Sequence, residues 1–166
     1  MAACAPDVVL DIEQVPWPWP DNSVGDVLLI HVLEHIGRDA DIYLGVMKEL
    51  YRVCRHDARI HIIVPHPRHD HFLGDPTHVH AIIPEGLALL DQRLNRQWQE
   101  LGAANTPLGL YLGVDFELTQ IEYDFDEPWL GQMERKEIDQ AAAMAAEKRY
   151  NNVVTQIHMT LRVRKS

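Results

Sequence analysis

The chain has 166 residues, of which 46% are hydrophobic and 24% are charged. This composition is typical of a globular protein with a substantial core, and without repeats or linkers it predicts one domain over residues 1–166. The formal net charge of −10 is poorly suited to a phosphate backbone, so we expect no nucleic-acid partner.

Cysteine usage and hydropathy narrow the protein class further. The two cysteines, Cys4 and Cys54, have no spacing typical of a disulfide framework or a zinc finger. No apolar run is long enough to cross a bilayer, and the N-terminus lacks a charged-then-apolar signal pattern. These features predict a reduced, cytoplasmic protein with no membrane partner.

The first part of the chain contains two apolar runs. Residues 6–13 and 25–36 are rich in valine, leucine and isoleucine; the first run predicts a buried strand, and the second begins as another strand, over residues 26–31. The segment 15–23 has three prolines, which cannot donate to a sheet, and it predicts an extended connection that ends in a turn. The second run is apolar throughout, which is typical of a strand covered on both faces.

A helix and a third strand follow. Residues 39–54 have apolar side chains at helical spacing, and Asp39 is suited to cap the N-terminus of that helix. Residues 58–65 predict another strand. The order strand, helix, strand makes the two flanking strands parallel.

The second half predicts two helices and two strands. Residues 84–101 form one apolar helical stripe that begins at a proline and that Gly102 can close. Residues 131–150 are rich in Ala, Glu and Lys and predict a helix. Residues 114–125 and 153–164 predict strands, and the last alternates apolar and polar side chains as a half-exposed antiparallel strand does.

A stretch at residues 66–80, HPRHDHFLGDPTHVH, contains five of the ten histidines. The pairs His69 with His71, and His78 with His80, have the spacing that points two side chains the same way in an extended segment, where they could bind a metal with Asp75. One glycine and two prolines make the stretch a loop instead of a rigid frame. We therefore assign no metal site.

The alternative interpretation of this stretch is a loop on the substrate side of a cleft. It follows a strand, and sites in α/β proteins form at the carboxyl ends of strands. An imidazole there could accept a proton near neutral pH. We expect His69 and His71 to be exposed and most of the imidazoles to reach water or a carboxylate such as Asp70 or Asp75.

Residues 7–36 have a distinctive order of motifs. A strand-like run ends in Asp11, and then come Pro-Trp-Pro-Trp-Pro, Asp-Asn-Ser, an apolar run and His-Val-Leu-Glu-His. This order resembles the middle of class I S-adenosylmethionine-dependent methyltransferases of the type 11-like kind. Asp-Pro-Thr-His at 75–78 and the closing strand at 153–164 are similar to the same family, so the resemblance covers nearly the whole chain.

The resemblance implies an α/β fold with a Rossmann-like sheet, mostly parallel with an antiparallel C-terminal strand. It implies S-adenosylmethionine as the cofactor and a small-molecule methyl acceptor. Asp11, Ile12 and His31 would bind the cofactor, and His31 and His78 would be catalytic. Trp17 and Trp19 would either wall an adenine pocket or pack within the proline-rich turn.

The family's first strand–helix–strand unit, with its Gly-rich cofactor-binding turn, has no counterpart in this sequence. Such a unit is on the order of 30 residues long. We therefore expect a sheet truncated at its N-terminus, weak or no cofactor binding, and self-association through unpaired strand edges. Three functions stay open: a methyltransferase, a non-catalytic binding domain that self-associates, and a His-loop metal-binding protein.

Overall fold

The computed structural model describes residues 6–165, which form a four-stranded mixed sheet with helices around it. The elements are, in chain order, β1 (Val24–Ile30), a 3-10 helix (Leu33–His35), α1 (Ala40–Val53), β2 (Cys54–Pro65), α2 (Asp70–Leu73), α3 (Pro84–Ala88), α4 (Gln92–Glu100), α5 (Leu108–Leu112), β3 (Phe116–Phe125), α6 (Trp129–Glu134), α7 (Gln140–Glu147) and β4 (Val154–Val163).

The strands lie in the order β1-β2-β4-β3. β1 pairs parallel with β2, and β4 pairs antiparallel with both β2 and β3. Three strands therefore run in one direction and only β4 opposes them. The α/β class and the mostly parallel sheet with an antiparallel C-terminal strand are confirmed.

The crossover from β1 to β2 forms as the sequence predicts. The side chain of Asp39 caps α1 by accepting from the backbone N–H of Asp41 at 3.5 Å. Val46, Leu50 and Val53 are buried at helical spacing against the sheet. Burying a side chain of this size stabilises the fold by roughly 2 kcal/mol, so this apolar face is what holds the helix in place.

The strand predicted at residues 6–13 does not form. Val8 and Val9 are 47% and 87% exposed, and no residue of this segment belongs to the sheet. Asp11 closes a local turn instead, in which its side chain accepts from the N–H of Glu13 and its carbonyl accepts from the N–H of Gln14. A strand needs a neighbour for its backbone hydrogen bonds, and no described strand lies beyond β1 to supply one.

The second apolar run also differs from its prediction. The strand at the start of this run is β1, which ends at Ile30 near its predicted end, but its faces alternate: Val27 and Leu29 pack against the core, while Leu28 and Ile30 are 68% and 50% exposed. The expectation of a strand covered on both faces is therefore wrong within the described residues. The reason is that no described helix covers the face of β1 that carries Leu28 and Ile30.

Two long predicted helices are each divided into two. The stripe at 84–101 breaks before α4, because the carboxylate of Asp91 accepts from the N–H groups of Arg93 and Leu94 and starts a new helix. Gly102 does close α4, in a left-handed conformation with φ of 69°. Residues 131–150 divide into α6 and α7, where Asp139 caps α7 by accepting from the N–H of Ala142.

The main core lies between the sheet and helices α1 and α3. It includes alternate residues of β2 and β4, which confirms the period-two pattern predicted for the last strand. Cys54 is buried in this core, and burial raises the pKa of its thiol to about 11, so the thiol is not reactive. Cys4 lies outside the described residues. No helix among residues 6–165 has both the length and the hydropathy to span a bilayer.

Candidate functional site

The site lies at the edge of the sheet where β1 and β2 both end. His31 directly follows β1, and the His-rich stretch directly follows β2. The backbone N–H of His31 still donates to the carbonyl of Ile63, at 2.9 Å, and its φ of 52° then turns the chain away from the sheet. Because the two strands are parallel, the segments after them meet at one edge.

Glu34 connects these two segments. Its backbone carbonyl accepts from the N–H groups of Val79 at 2.8 Å and His80 at 3.2 Å, which ties the 3-10 helix to the His-rich stretch. The Glu34 residue is 0% exposed, and neither carboxylate oxygen has a hydrogen-bond partner among the described residues. Nδ1 of His31 lies 3.3 Å from Oε1 of Glu34, but without hydrogen-bond geometry. The carboxylate is therefore buried and unsatisfied.

A chain of hydrogen bonds fixes the ring of His35. The hydroxyl of Thr77 lies 3.0 Å from Nδ1 of His35 and donates to Oδ1 of Asp75 at 2.6 Å. The backbone N–H of Thr77 donates to the same oxygen at 2.8 Å. The hydroxyl bond from Thr77, followed by the backbone bond, lowers the pKa of Asp75. These contacts build the Asp-Pro-Thr-His turn under the imidazole of His35.

His78 is held by its Nδ1 atom, which lies 2.9 Å from the carbonyl oxygen of Phe72. Its ring stacks on Phe72, with centroids 5.2 Å apart, and tilts against the ring of His35 at 4.7 Å. One ligand atom from each of Glu34, His35 and His78 lies within 4.8 Å of the others. We call these three residues the Glu34–His35–His78 cluster.

An open cleft of about 350 Å³ lies beside the cluster. The residues that line it are Glu13, His35, Arg38, Ile42, Thr77 and Val79. Glu13 is fixed there because its Oε1 atom accepts from the backbone N–H of Gly37 at 2.7 Å. The cleft has the room for a small polar molecule and places it next to His35.

The rest of the His-rich stretch behaves differently from the prediction. His71 is exposed as predicted, but the expectation for His69 is wrong, because His69 is 3% exposed. Its Nε2 atom lies 3.0 Å from Oδ2 of Asp126, and its Nδ1 atom accepts from the backbone N–H of His71. The hydrogen bond from His69 lowers the pKa of Asp126.

Two further histidines of the stretch are partly or fully covered. His66 is buried with Nε2 3.4 Å from Oε1 of Glu147 in α7, and burial lowers its pKa. His80 packs its ring 5.1 Å from that of Tyr43, and its Nε2 atom is buried with no partner among the described residues. Of the two spacing pairs, His78 places Nε2 3.8 Å from Oδ2 of Asp75, whereas the carboxylates that face His66 and His69 come from later in the chain.

Of the residues that the resemblance implies for the cofactor, His31 lies beside the cluster, 3.3 Å from Glu34, whereas Asp11 and Ile12 contact other groups. Asp11 is exposed and uses Oδ1 within its own turn. Ile12, Trp17 and Trp19 line an apolar cavity of about 310 Å³ between β1 and α1. The indole of Trp17 donates to the carbonyl of Ile12 at 2.9 Å and meets Trp19 edge to face at 6.0 Å. The two tryptophans thus pack in the proline-rich turn and also wall a cavity.

The sequence singles out His31 and His78 as site residues but not Glu34 and His35, and it gives no sign of Thr77 as the contact of His35. The signal that could have found them is the His-Val-Leu-Glu-His motif itself. A turn of 3-10 helix after a strand places its acid and its last histidine toward the neighbouring loop.

Comparison with known proteins shows what this fold is. No family model matches the chain, and neither does any curated protein sequence. Among solved structures, a SAM-dependent methyltransferase from Archaeoglobus fulgidus matches with a TM-score of 0.59 and 18% identity, over 93% of this chain and 66% of that one. One from Methanosarcina mazei matches with a TM-score of 0.52 and 12% identity, over 96% of this chain and 67% of that one.

The chain therefore has the fold of class I SAM-dependent methyltransferases. It spans about two thirds of the length of these two structures.

Proposed function

We propose that the chain forms the substrate-side part of a SAM-dependent methyltransferase site within a single domain. The observation that carries the proposal is the convergence of His31 with the Glu34–His35–His78 cluster at the carboxyl edge of β1 and β2, in a fold of this class. Methyl transfer depends mostly on positioning, and the rigid contacts of this edge suit that task.

His31 and His78 act as the proton acceptors. The carbonyl of Phe72 can only accept, so Nδ1 of His78 carries the proton and Nε2 keeps a lone pair. When bound, the cofactor would supply an activated methyl group, whose bond to sulfur would break as the substrate nucleophile attacks and leave the electron pair on sulfur. The proton of the nucleophile passes to an imidazole, either Nε2 of His78 or the half-exposed ring of His31.

Asp11, Ile12 and His31 are the residues that we propose for the cofactor. The apolar cavity beside Ile12 suits a flat aromatic ring, and the carboxylate of Asp11 lies at the surface nearby in sequence. The 166 residues contain no Gly-x-Gly sequence, whose backbone would approach the cofactor closely. The polypeptide by itself should therefore bind SAM weakly.

A titration followed by NMR tests this proposal at the ligand concentrations that weak binding requires. S-adenosylhomocysteine should shift the amide signals of Asp11, Ile12 and His31, and Asp11→Ala should weaken the effect. Asp7→Ala, which changes another exposed acid of the same segment, should not. Shifts confined to other surfaces, or none, would contradict the proposed site, and a micromolar affinity would contradict the proposed weakness.

A second candidate function is a non-catalytic domain that self-associates. It rests on β1, which is an edge strand with Leu28 and Ile30 exposed on its outer face. Unpaired edges with apolar side chains are suited to pair with a second copy.

A further inference from the structure

We propose that the Glu34–His35–His78 cluster binds one divalent transition-metal ion of the zinc class. Its three ligand atoms lie within 4.8 Å of one another. Ligands of a tetrahedral zinc ion at its usual bond lengths are roughly 3.4 Å apart, so small rotations of the side chains would close the site. The proposal stands on this geometry and does not depend on methyl transfer.

Glu34 provides the first independent reason. Its carboxylate is buried, and neither oxygen has a hydrogen-bond partner within residues 6–165. Burying a polar group without a partner costs several kcal/mol when the group is charged. Nδ1 of His31 is close to Oε1 but outside hydrogen-bond geometry. A cation bound between Glu34 and the imidazoles would offset this cost.

His78 is already oriented as a ligand. Its Nδ1–H donates to the carbonyl of Phe72 at 2.9 Å, which leaves the lone pair of Nε2 free. Metal-binding histidines characteristically donate their other ring N–H to a carbonyl or carboxylate, since this fixes both the tautomer and the ring. Stacking on Phe72 also supports the ring in this orientation.

His35 also has its ring proton on Nδ1, but a side-chain hydroxyl fixes it there instead of a backbone carbonyl. The hydroxyl proton of Thr77 is committed to Oδ1 of Asp75, so the hydroxyl oxygen can only accept from His35. Nδ1 of His35 therefore carries the proton, and Nε2 is left with its lone pair. Two imidazoles with a lone pair on Nε2 thus lie beside one unsatisfied carboxylate, and Nε2 of His78 is 3.8 Å from Oδ2 of Asp75, too far for a hydrogen bond.

The donor set indicates the class of ion. Two imidazoles with one carboxylate bind zinc in sites that keep an open position, and they also bind other first-row ions. Calcium and magnesium prefer sites made of oxygen atoms. His35 also lines the 350 Å³ cleft, so the open position would face a small oxygen-bearing ligand there. With the ion bound, Nε2 of His78 is occupied and His31 is left as the proton acceptor.

Metal binding by the untagged 166-residue protein tests the proposal. After treatment with a chelator, equilibrium dialysis against zinc, iron(II), manganese, calcium and magnesium should show one equivalent of a transition ion and neither calcium nor magnesium. Glu34→Gln and His78→Gln should abolish stoichiometric binding. Thr77→Val, which removes the hydroxyl that orients His35, should weaken the affinity about tenfold. His71→Ala, an exposed histidine outside the cluster, is the matched control and should bind as the wild type does.

Thermal unfolding distinguishes the loss of metal binding from the misfolding of a variant. Zinc should raise the Tm of the wild type and of His71→Ala, and should leave the Tm of a folded Glu34→Gln protein unchanged. Binding that survives both Glu34→Gln and His78→Gln would overturn the proposal. So would binding that is lost in a His69→Ala/His71→Ala double variant, binding of calcium or magnesium alone, or no binding of any ion.

Discussion

Two buried acids in this protein have opposite surroundings. Asp91 is 2% exposed, caps α4, and pairs with Arg164 at 2.5 Å. Arg164 also pairs with Asp115 at 2.6 Å, and Asp115 in turn accepts from the N–H of Gln92. Glu34 is 0% exposed and has no such partner among the described residues. A satisfied buried charge such as Asp91 holds elements together, whereas the unsatisfied carboxylate of Glu34 is the place where we propose a ligand.

Replacing Asp91, the acid with partners, should have the largest effect on the stability of the protein. Asp91→Ala leaves Arg164 with one carboxylate instead of two and removes the cap of α4, so we expect a loss of about 3 kcal/mol in the free energy of unfolding. Urea unfolding measures it. Asp139→Ala removes an exposed cap only and should cost about 1 kcal/mol. Equal losses in the two variants would show that the pairing of Asp91 adds nothing.

A similar comparison holds for an apolar side chain on the outer face of β1. Leu28 is largely exposed, so it lacks packing partners in the way that Glu34 lacks hydrogen-bond partners among the described residues. If β1 pairs with a second copy, Leu28→Glu should weaken the dimer by about 2 kcal/mol, which is roughly thirtyfold in the dissociation constant. Sedimentation equilibrium gives that constant. Leu101→Glu changes another exposed leucine, away from β1, and should have no effect. A wild-type protein that stays monomeric at high concentration would contradict self-association through β1.

Removing the unsatisfied acid should have the opposite sign from removing Asp91. In the presence of a chelator, Glu34→Gln eliminates a buried charge without changing the shape, and the protein should gain about 1 kcal/mol in the free energy of unfolding. Glu34→Met, which has no polar group to satisfy, should gain a similar amount. Urea unfolding of both variants measures this. A loss as large as that of Asp91→Ala would mean that Glu34 is paired in solution.

The smallest effect concerns pH and the buried His66. The charged groups that face it are Glu147, Arg68 and His69, but burial dominates and lowers its pKa below the ordinary 6.5. The unfolded chain therefore binds this proton at a higher pH than the folded protein does. The contribution of His66 to the free energy of unfolding is fully present above pH 6.5. It is lost as the pH falls from 6.5 to the lower pKa that His66 has in the folded protein.

His66→Gln should flatten the slope of stability against pH in that range, as urea unfolding at several pH values would show. His56→Gln, which changes an exposed histidine, is the control. An unchanged slope in His66→Gln would contradict the account of His66 as a buried, neutral imidazole.

Local patterns were enough to predict some elements. α1 was predictable because its cap, Asp39, and its buried face lie within sixteen consecutive residues. The last strand was predictable because its alternation of apolar and polar side chains is local too. Neither element needs information from elsewhere in the chain.

Several errors depend on distant partners. Residues 6–13 have the composition of a strand but no described neighbour to pair with, and the burial of His69 depends on Asp126, 57 positions later. The breaks in the two long helices have a local cause, because Asp91 and Asp139 each cap a new helix. Of the candidate site, the sequence singled out the edge of the sheet, His31 and His78, but not His35. Their carboxylate partner became evident only when the 3-10 helix and the Asp-Pro-Thr-His turn were seen in contact.

Anomalous diffraction at the zinc absorption edge, from crystals of the untagged protein grown with zinc, tests the central claim most directly. We expect one strong peak at bonding distance, about 2.1 Å, from an oxygen of Glu34 and from Nε2 of His35 and His78. A peak at His69 and His71, or no peak at the cluster while other sites are occupied, would contradict the claim that the unsatisfied carboxylate of Glu34 marks a ligand site.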